Sequence, residues 1–276
     1  MSTIAMSVSA EGFTPPGPGD FNLPPIGGDS HSATFEFLGQ HFYWGVTKPM
    51  VQLVLVAALV FLVFRAASAK RAMVPGRLQY VGEVGYGFVR NSIARDIIGS
   101  KDFMKFVPYL FAMFTLILTN NLLASVPFFQ FPTFSRAGLV YGLALISWLV
   151  YLGVGVKKHG FLGYLKHTCV PQGVGAGMLP LLVPLEFISN IFVRPLTLAL
   201  RLLCNMFAGH MLLILFALGG EYLIVEMSGA YAIPGVLAWV LFILISFLEL
   251  LIQFLQAYVF VLLNAIYIQS SLSDEH

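Results

Sequence analysis

Charge is what this sequence has least of. Only 10% of its 276 residues are Asp, Glu, Lys or Arg, where a soluble domain carries about a quarter. Apolar residues make up 58% and the mean hydropathy is +0.84. A water-soluble globule is thereby excluded, and a polytopic membrane protein is expected. Cysteine is nearly absent too. Cys169 falls in a polar loop and Cys204 inside an apolar run, so no disulfide framework is available. There is no GxxxxGK[ST] phosphate loop, no HExxH pair and no CxxC cluster. The chain therefore has no visible means of holding a nucleotide or a structural metal, and neither a cofactor nor a nucleic acid is expected to bind. The first 30 residues lack the basic and apolar regions of a cleavable signal. Their Pro and Gly content suggests that residues 1–40 form a flexible tail.

What the sequence has in quantity is uninterrupted hydrocarbon. Aromatics Phe42, Tyr43 and Trp44 precede a first run at 49–69, and further runs follow at 106–129 and 139–156, each near the span length of about 20 residues. Between the first two lies 77–98, where Leu78, Val81, Val84, Phe88, Ile93 and Ile97 recur near helical spacing. Gln79, Glu83, Arg90, Asn91 and Arg95 fall largely off that stripe. An amphipathic helix lying on the membrane surface fits this pattern, and a loop helix packed on other segments is its alternative. The last two runs, 179–218 and 233–268, are longer. As helices they would measure about 60 and 54 Å, against a hydrocarbon core of roughly 30 Å. Pro184 and Pro195 permit breaks in the first of them, but no polar turn interrupts either. Strong tilt is expected. The fold expected is thus all-α: one membrane domain over 41–276, with five embedded segments and one interfacial helix.

Basic residues orient the set. Arg65, Lys70, Arg71, Arg77, Arg90, Arg95, Lys101 and Lys105 fall between spans one and two, and Lys157, Lys158 and Lys166 between three and four. The other connections carry Arg136 alone, or Glu221 and Glu226 without a base. The positive-inside rule then places the amino terminus outside and the carboxyl terminus in the cytoplasm.

Ionisable residues inside spans cost about 2.5–3.5 kcal/mol each on insertion scales and mark function by default. Glu186, Arg194, Arg201, His210 and Glu249 qualify, joined by the amides Asn190, Asn205, Gln253, Gln256 and Asn264. On an unbroken α-helix Asn190, Arg194 and Asn205 lie within about 40° of Arg201, Glu186 is roughly 60° away, and His210 points to the opposite side. Glu249, Gln253 and Gln256, at i, i+4 and i+7, share one face. Arginine keeps its proton, so it attracts carboxylates and repels cations; histidine and a buried carboxyl can relay protons. Two aqueous paths with a permanent cation between them are one reading. Snorkelling of Arg194 and Arg201 to the interface, and core packing by His210, Gln253, Asn264, Asn120 and Asn121, are the plainer ones.

"RPLTLALRLLCNMFAGH" (194–210) and "FLELLIQFLQAYVFVLLNAIYI" (247–268) resemble segments of subunit a of the bacterial F-type ATP synthase, as do "NLLASVP" (121–127) and "PLEFISNIFVRP" (184–195). The resemblance covers roughly 40–276. It implies a non-catalytic stator subunit in the plasma membrane, set beside a rotating ring of c subunits and b-type peripheral stalk subunits, with protons as the transported ion. It implies that Arg201 engages the ring carboxylates and that Asn205, His210, Glu249 and Gln256 line the path from outside. Glu186 would belong to the path to the cytoplasm. In this family the His and the carboxylate at 210 and 249 can exchange places. Cys204 departs from the Gly or Ala frequent at its position, and Ala124 stands where some members have an acid. Two readings of other classes remain, an autonomous multi-pass transporter or channel and a purely structural anchor. The absence of an internal repeat weighs against the first.

Overall fold

A computed structural model describes residue 17 and residues 34–37, 40–43, 47–69, 76–126, 133–169, 178–227, 229 and 232–273. Most of the expected tail, Trp44, and the basic pair Lys70 and Arg71 lie outside the described residues. A short antiparallel hairpin, β1 (Thr34–Phe37) and β2 (Gln40–Tyr43), pairs Thr34 with Tyr43 and Phe37 with Gln40. It stands just before the first helix, where sequence alone suggested no strand. Everything else of regular structure is helical.

Among the described residues, five helices are long and apolar enough to cross a membrane. They begin with α1 (Lys48–Ala69), α3 (Phe103–Ala124) and α4 (Ala137–His159). The fourth, Pro180–Val225, runs from α6 (Leu179–Ile188) through a π turn (Ser189–Val193) into α7 (Arg194–Val225). The fifth is α8 (Ala232–Leu272). At 1.5 Å per residue the 46 residues of the fourth reach about 69 Å and the 41 of α8 about 61 Å, twice the hydrocarbon thickness. Both therefore lie strongly tilted.

Between α1 and α3 sits α2, α-helical over Arg77–Phe88 and π-helical over Val89–Ile98. Its two ends satisfy different readings of the sequence. Leu78, Val81 and Val84 are exposed, an apolar surface suited to lipid, whereas Val89, Ile93 and Ala94 are fully buried in the core. A nine-residue helix that the sequence did not disclose, α5 (Phe161–Cys169), follows α4, so Cys169 ends a helix rather than lying in a loop. Tyr164 anchors α5 by lying over Gly155, where a Cβ would come within 2.2 Å of its ring.

The core forms where apolar stripes of four helices meet. From α3 come Val107, Leu110, Phe114 and Ile117; from α4, Val140, Leu143, Ala144 and Tyr151. Leu198, Ala199, Leu202 and Met206 of α7 and Ala257, Phe260, Val261, Ala265 and Ile268 of α8 complete it. Each set recurs at three and four residues, so one side of each helix faces inward and the other is left to lipid or other chains. α7 and α8 pack antiparallel, and close approach near their connecting turn requires small residues. A Cβ on Gly235 would lie 2.6 Å from Ile224 Cγ1, and one on Gly220 would lie 2.7 Å from Trp239 Cδ1.

Candidate functional site

The polar residues of the last two helices do not scatter; they pair. His210 on α7 and Glu249 on α8 are both buried, and His210 Nδ1 lies 3.0 Å from Glu249 Oε1. Gly209 makes room for this approach, since a Cβ there would stand 3.1 Å from the same oxygen. Glu249 Oε2 has no hydrogen-bond partner among the described residues. One turn further along α8, Gln253 Nε2 sits 3.5 Å from Glu249 Oε1 and 2.7 Å from Ser125 Oγ at the end of α3. Asn121 Nδ2 donates to the Gln253 carbonyl at 3.3 Å. Glu249, Gln253 and Gln256 are all buried, as their common face requires.

Five residues before His210, Asn205 Nδ2 donates to Gln256 Oε1 at 2.8 Å. The two pairs thus bridge α7 to α8 in succession. Arg201 follows on α7 and behaves otherwise. It is exposed, and among the described residues it makes no hydrogen bond or ion pair. Thr197, Cys204, Asn205, Ala208, Leu212 and Leu215 are exposed with it, a stripe at helical spacing left open among the described residues. His210, nine residues on, is buried on the opposite side.

The far end of the same helix run is arranged around the π turn. Asn190 is buried and its Nδ2 donates to Glu186 Oε2 at 2.8 Å and to the Thr168 carbonyl at 3.0 Å. Arg194 does not extend freely to an interface: its Cζ lies 5.3 Å from the centre of the Tyr267 ring. The single stripe expected for Asn190, Arg194, Arg201 and Asn205 does not form, because Asn190 faces inward while Arg201 faces out. Straight-helix arithmetic fails across a π turn, where each inserted residue shifts the register by about 100°.

Some polar residues pack and no more. Asn264 donates to the Phe260 carbonyl, and its Oδ1 accepts from Tyr109 at 3.3 Å, whose hydroxyl also lies 3.1 Å from Ser147 Oγ. That cluster ties α3, α4 and α8 together. Asn120 is fully buried with neither side-chain atom paired among the described residues. Sequence reasoning did not single out Ser125, Gly209, Trp148 or Tyr151; a glycine beside the buried His210 was the available signal for Gly209. Among the described residues no three of His, Cys, Asp and Glu come together to hold a metal ion.

A family model described as ATP synthase A chain matches residues 50–269. The chain is 63% identical over 275 residues to an ATP synthase subunit a of Nocardioides sp., covering 100% of this chain and 99% of that protein. It is 42% identical to the ATP synthase subunit a of Pseudarthrobacter chlorophenolicus, over the full length of both. With that of Streptomyces lividans it shares 38% identity, covering 96% of this chain and 90% of the relative.

Proposed function

The chain belongs to the ATP synthase subunit a family, and from that premise we propose that it is the proton-conducting stator subunit of an F-type ATP synthase. In this reading it is non-catalytic, lies beside a rotating ring of c subunits, and is held there by b-type stalk subunits. Its amino terminus is outside and its carboxyl terminus cytoplasmic, a reading that the distribution of Lys and Arg supports.

The observation that carries this reading is an uncovered arginine on an apolar helix. Arg201 faces away from its own chain and has no internal counter-charge among the described residues. A guanidinium so placed is suited to a carboxylate brought to it by another subunit. Beside it, the Asn205–Gln256 and His210–Glu249 pairs supply polar groups toward the outer turn, which connects α7 and α8. Glu186 and Asn190 supply them toward the cytoplasm. Protons enter past Glu249 and His210 and neutralise a ring carboxylate near Arg201. A neutral carboxyl can rotate into lipid, which a charged one cannot do without a heavy desolvation cost. After nearly a full turn it meets the Glu186 path, releases its proton inside, and is drawn as a carboxylate to Arg201. Arginine does not deprotonate, so the plug between the two paths conducts nothing itself. Each charge crossing 100 mV supplies about 2.3 kcal/mol, and several are summed for each ATP.

Replacing Arg201 with Ala or Gln tests this. Coupled ATP synthesis is expected to vanish while the complex still assembles. Retained coupling, or transport activity in the isolated chain, would overturn the reading.

A further inference from the structure

Pro195, at the joint between α6 and α7, has no N–H to give. In α-helical register that N–H would serve the carbonyl of Ile191, four residues back; in π register it would serve Asn190, five back. Both carbonyls lie in the π turn Ser189–Val193, and both are met from α4. Trp148 Nε1–H donates to the Ile191 carbonyl at 2.9 Å, and the Tyr151 hydroxyl to the Asn190 carbonyl at 3.3 Å. The two donors are three residues apart on one face of α4. A proline ring also clashes with the carbonyl four residues before it in a regular helix, so Pro195 accounts for the departure from α geometry; its one missing N–H opens one acceptor, and the return from π to α register after Arg194, whose N–H donates to the Ser189 carbonyl, opens the other.

What the turn holds is functional in kind. It sends the Asn190 side chain inward, where it grips Glu186 Oε2 at 2.8 Å. It also fixes the rotation between α6, which bears Glu186, and α7, which bears Arg201. We propose that Trp148 and Tyr151 are positioning residues for proton passage: by donating to the two carbonyls that Pro195 and the change of register leave open, they hold the turn that sets Glu186 and Arg201 at their mutual angle. This rests on the reading of Glu186 as part of the inner path and Arg201 as the barrier beside it. Loss of either donor leaves a buried carbonyl unmatched, and relaxation of the turn by one residue would swing Glu186 about 100° around the axis of α7.

The test uses the whole complex in proteoliposomes, with Trp148→Phe, Tyr151→Phe, Trp148→Phe combined with Pro195→Ala, and Arg201→Ala. ATP-driven proton pumping is measured, together with the dependence of passive proton conduction on cytoplasmic-side pH. Trp148→Phe is expected to assemble, pump about tenfold more slowly and show a displaced pH profile, as a small misplacement of a working group does. Adding Pro195→Ala returns a backbone donor and is expected to recover at least half of the lost rate. Wild-type pumping with an unchanged profile in Trp148→Phe would overturn the proposal, as would a double variant no better than the single. Should Trp148→Phe fail to assemble, Tyr151→Phe, which removes one oxygen, decides by the same pH profile: a displaced one supports the proposal and an unchanged one sinks it. If Arg201→Ala leaves coupling intact, the proposed function falls; if it uncouples while the α4 variants behave as wild type, only this inference falls.

Discussion

Glu249→Gln separates what the buried pair does for the fold from what it does for transport. The two side chains are 9% and 5% exposed and their polar atoms lie 3.0 Å apart. Glutamine keeps the size and shape of glutamate, and its amide oxygen can still accept from His210 Nδ1–H. The exchange alters one hydrogen bond of the pair, a change of roughly 1 kcal/mol. The second carboxylate oxygen is unpaired among the described residues, so an amide nitrogen in its place is no worse matched. Normal assembly of the complex is expected.

Transport is a different matter. An amide neither takes nor gives a proton in the physiological range, and removing a positioned acid–base group costs about 10²- to 10⁴-fold in rate. The assay is ATP-driven quenching of a pH-sensitive dye in proteoliposomes, with subunit content checked by gel. A second arm exchanges the partners: His210→Glu with Glu249→His keeps one imidazole and one carboxylate across the same gap. That double variant is expected to pump within about tenfold of wild type, while His210→Glu alone, which sets two carboxyls face to face, falls as far as Glu249→Gln. Wild-type pumping by Glu249→Gln would refute the relay, and the pair would then be a packing contact.

Two further outcomes test the frame rather than the path. Gly235→Ala places a methyl within 2.6 Å of Ile224 Cγ1 and 3.2 Å of the Gly220 carbonyl, and is expected to destabilise the α7–α8 contact by about 1–3 kcal/mol. Lower thermal stability of the purified complex would register it. Tyr109→Phe removes the hydroxyl between Ser147 and Asn264; a loss of about 1 kcal/mol in stability with unchanged pumping is expected, measured by thermal unfolding beside the dye assay.

The spans were legible because length and apolar content alone decide what can cross a bilayer, and each of the five runs of hydrocarbon overlaps one such helix, the fourth helix continuing seven residues past its run to Val225. The faces of α8 were legible for a related reason. It is one unbroken helix over Ala232–Leu272, so the spacing of Glu249, Gln253 and Gln256 translates directly into shared burial. His210 behind Arg201 could be read in the same way, both residues lying within α7. Asn190 could not. Hydrophobic periodicity runs on through Ser189–Val193 without a mark, because a π turn changes which backbone groups bond and not which side chains are apolar. Only Pro195 carried the information, as a missing donor, and the groups that answer it lie more than 40 residues away on α4. The second half of α2 and the short helix α5 were obscured differently, since contacts with distant segments bury residues that a local pattern leaves undecided.

Two arginines seven residues apart on one helix receive opposite treatment, and the contrast bears on mechanism. Arg194 is half-buried and lies 5.3 Å from the Tyr267 ring centre, a cation–π contact that returns about 0.5–2 kcal/mol within the chain. Arg201 makes no such ring contact among the described residues, although placing it in a span costs about 2.5–3.5 kcal/mol. A carboxylate arriving at about 4 Å, in surroundings of effective dielectric near 20, would return about 4 kcal/mol. The two magnitudes nearly balance. An internal partner would have consumed that attraction permanently and left Arg201 indifferent to passing groups. Left open, it would favour a charged carboxylate and lose that favour once the group is protonated, so under the proposed function its hold depends on whether a proton has been delivered. In the proposed reading, the same fixed charge would repel a proton moving directly between the two paths. Arg201→Lys keeps the sign but substitutes a compact ammonium, whose pKa shifts readily on burial, for a forked donor that cannot deprotonate; the barrier therefore needs the guanidinium and not merely a positive charge.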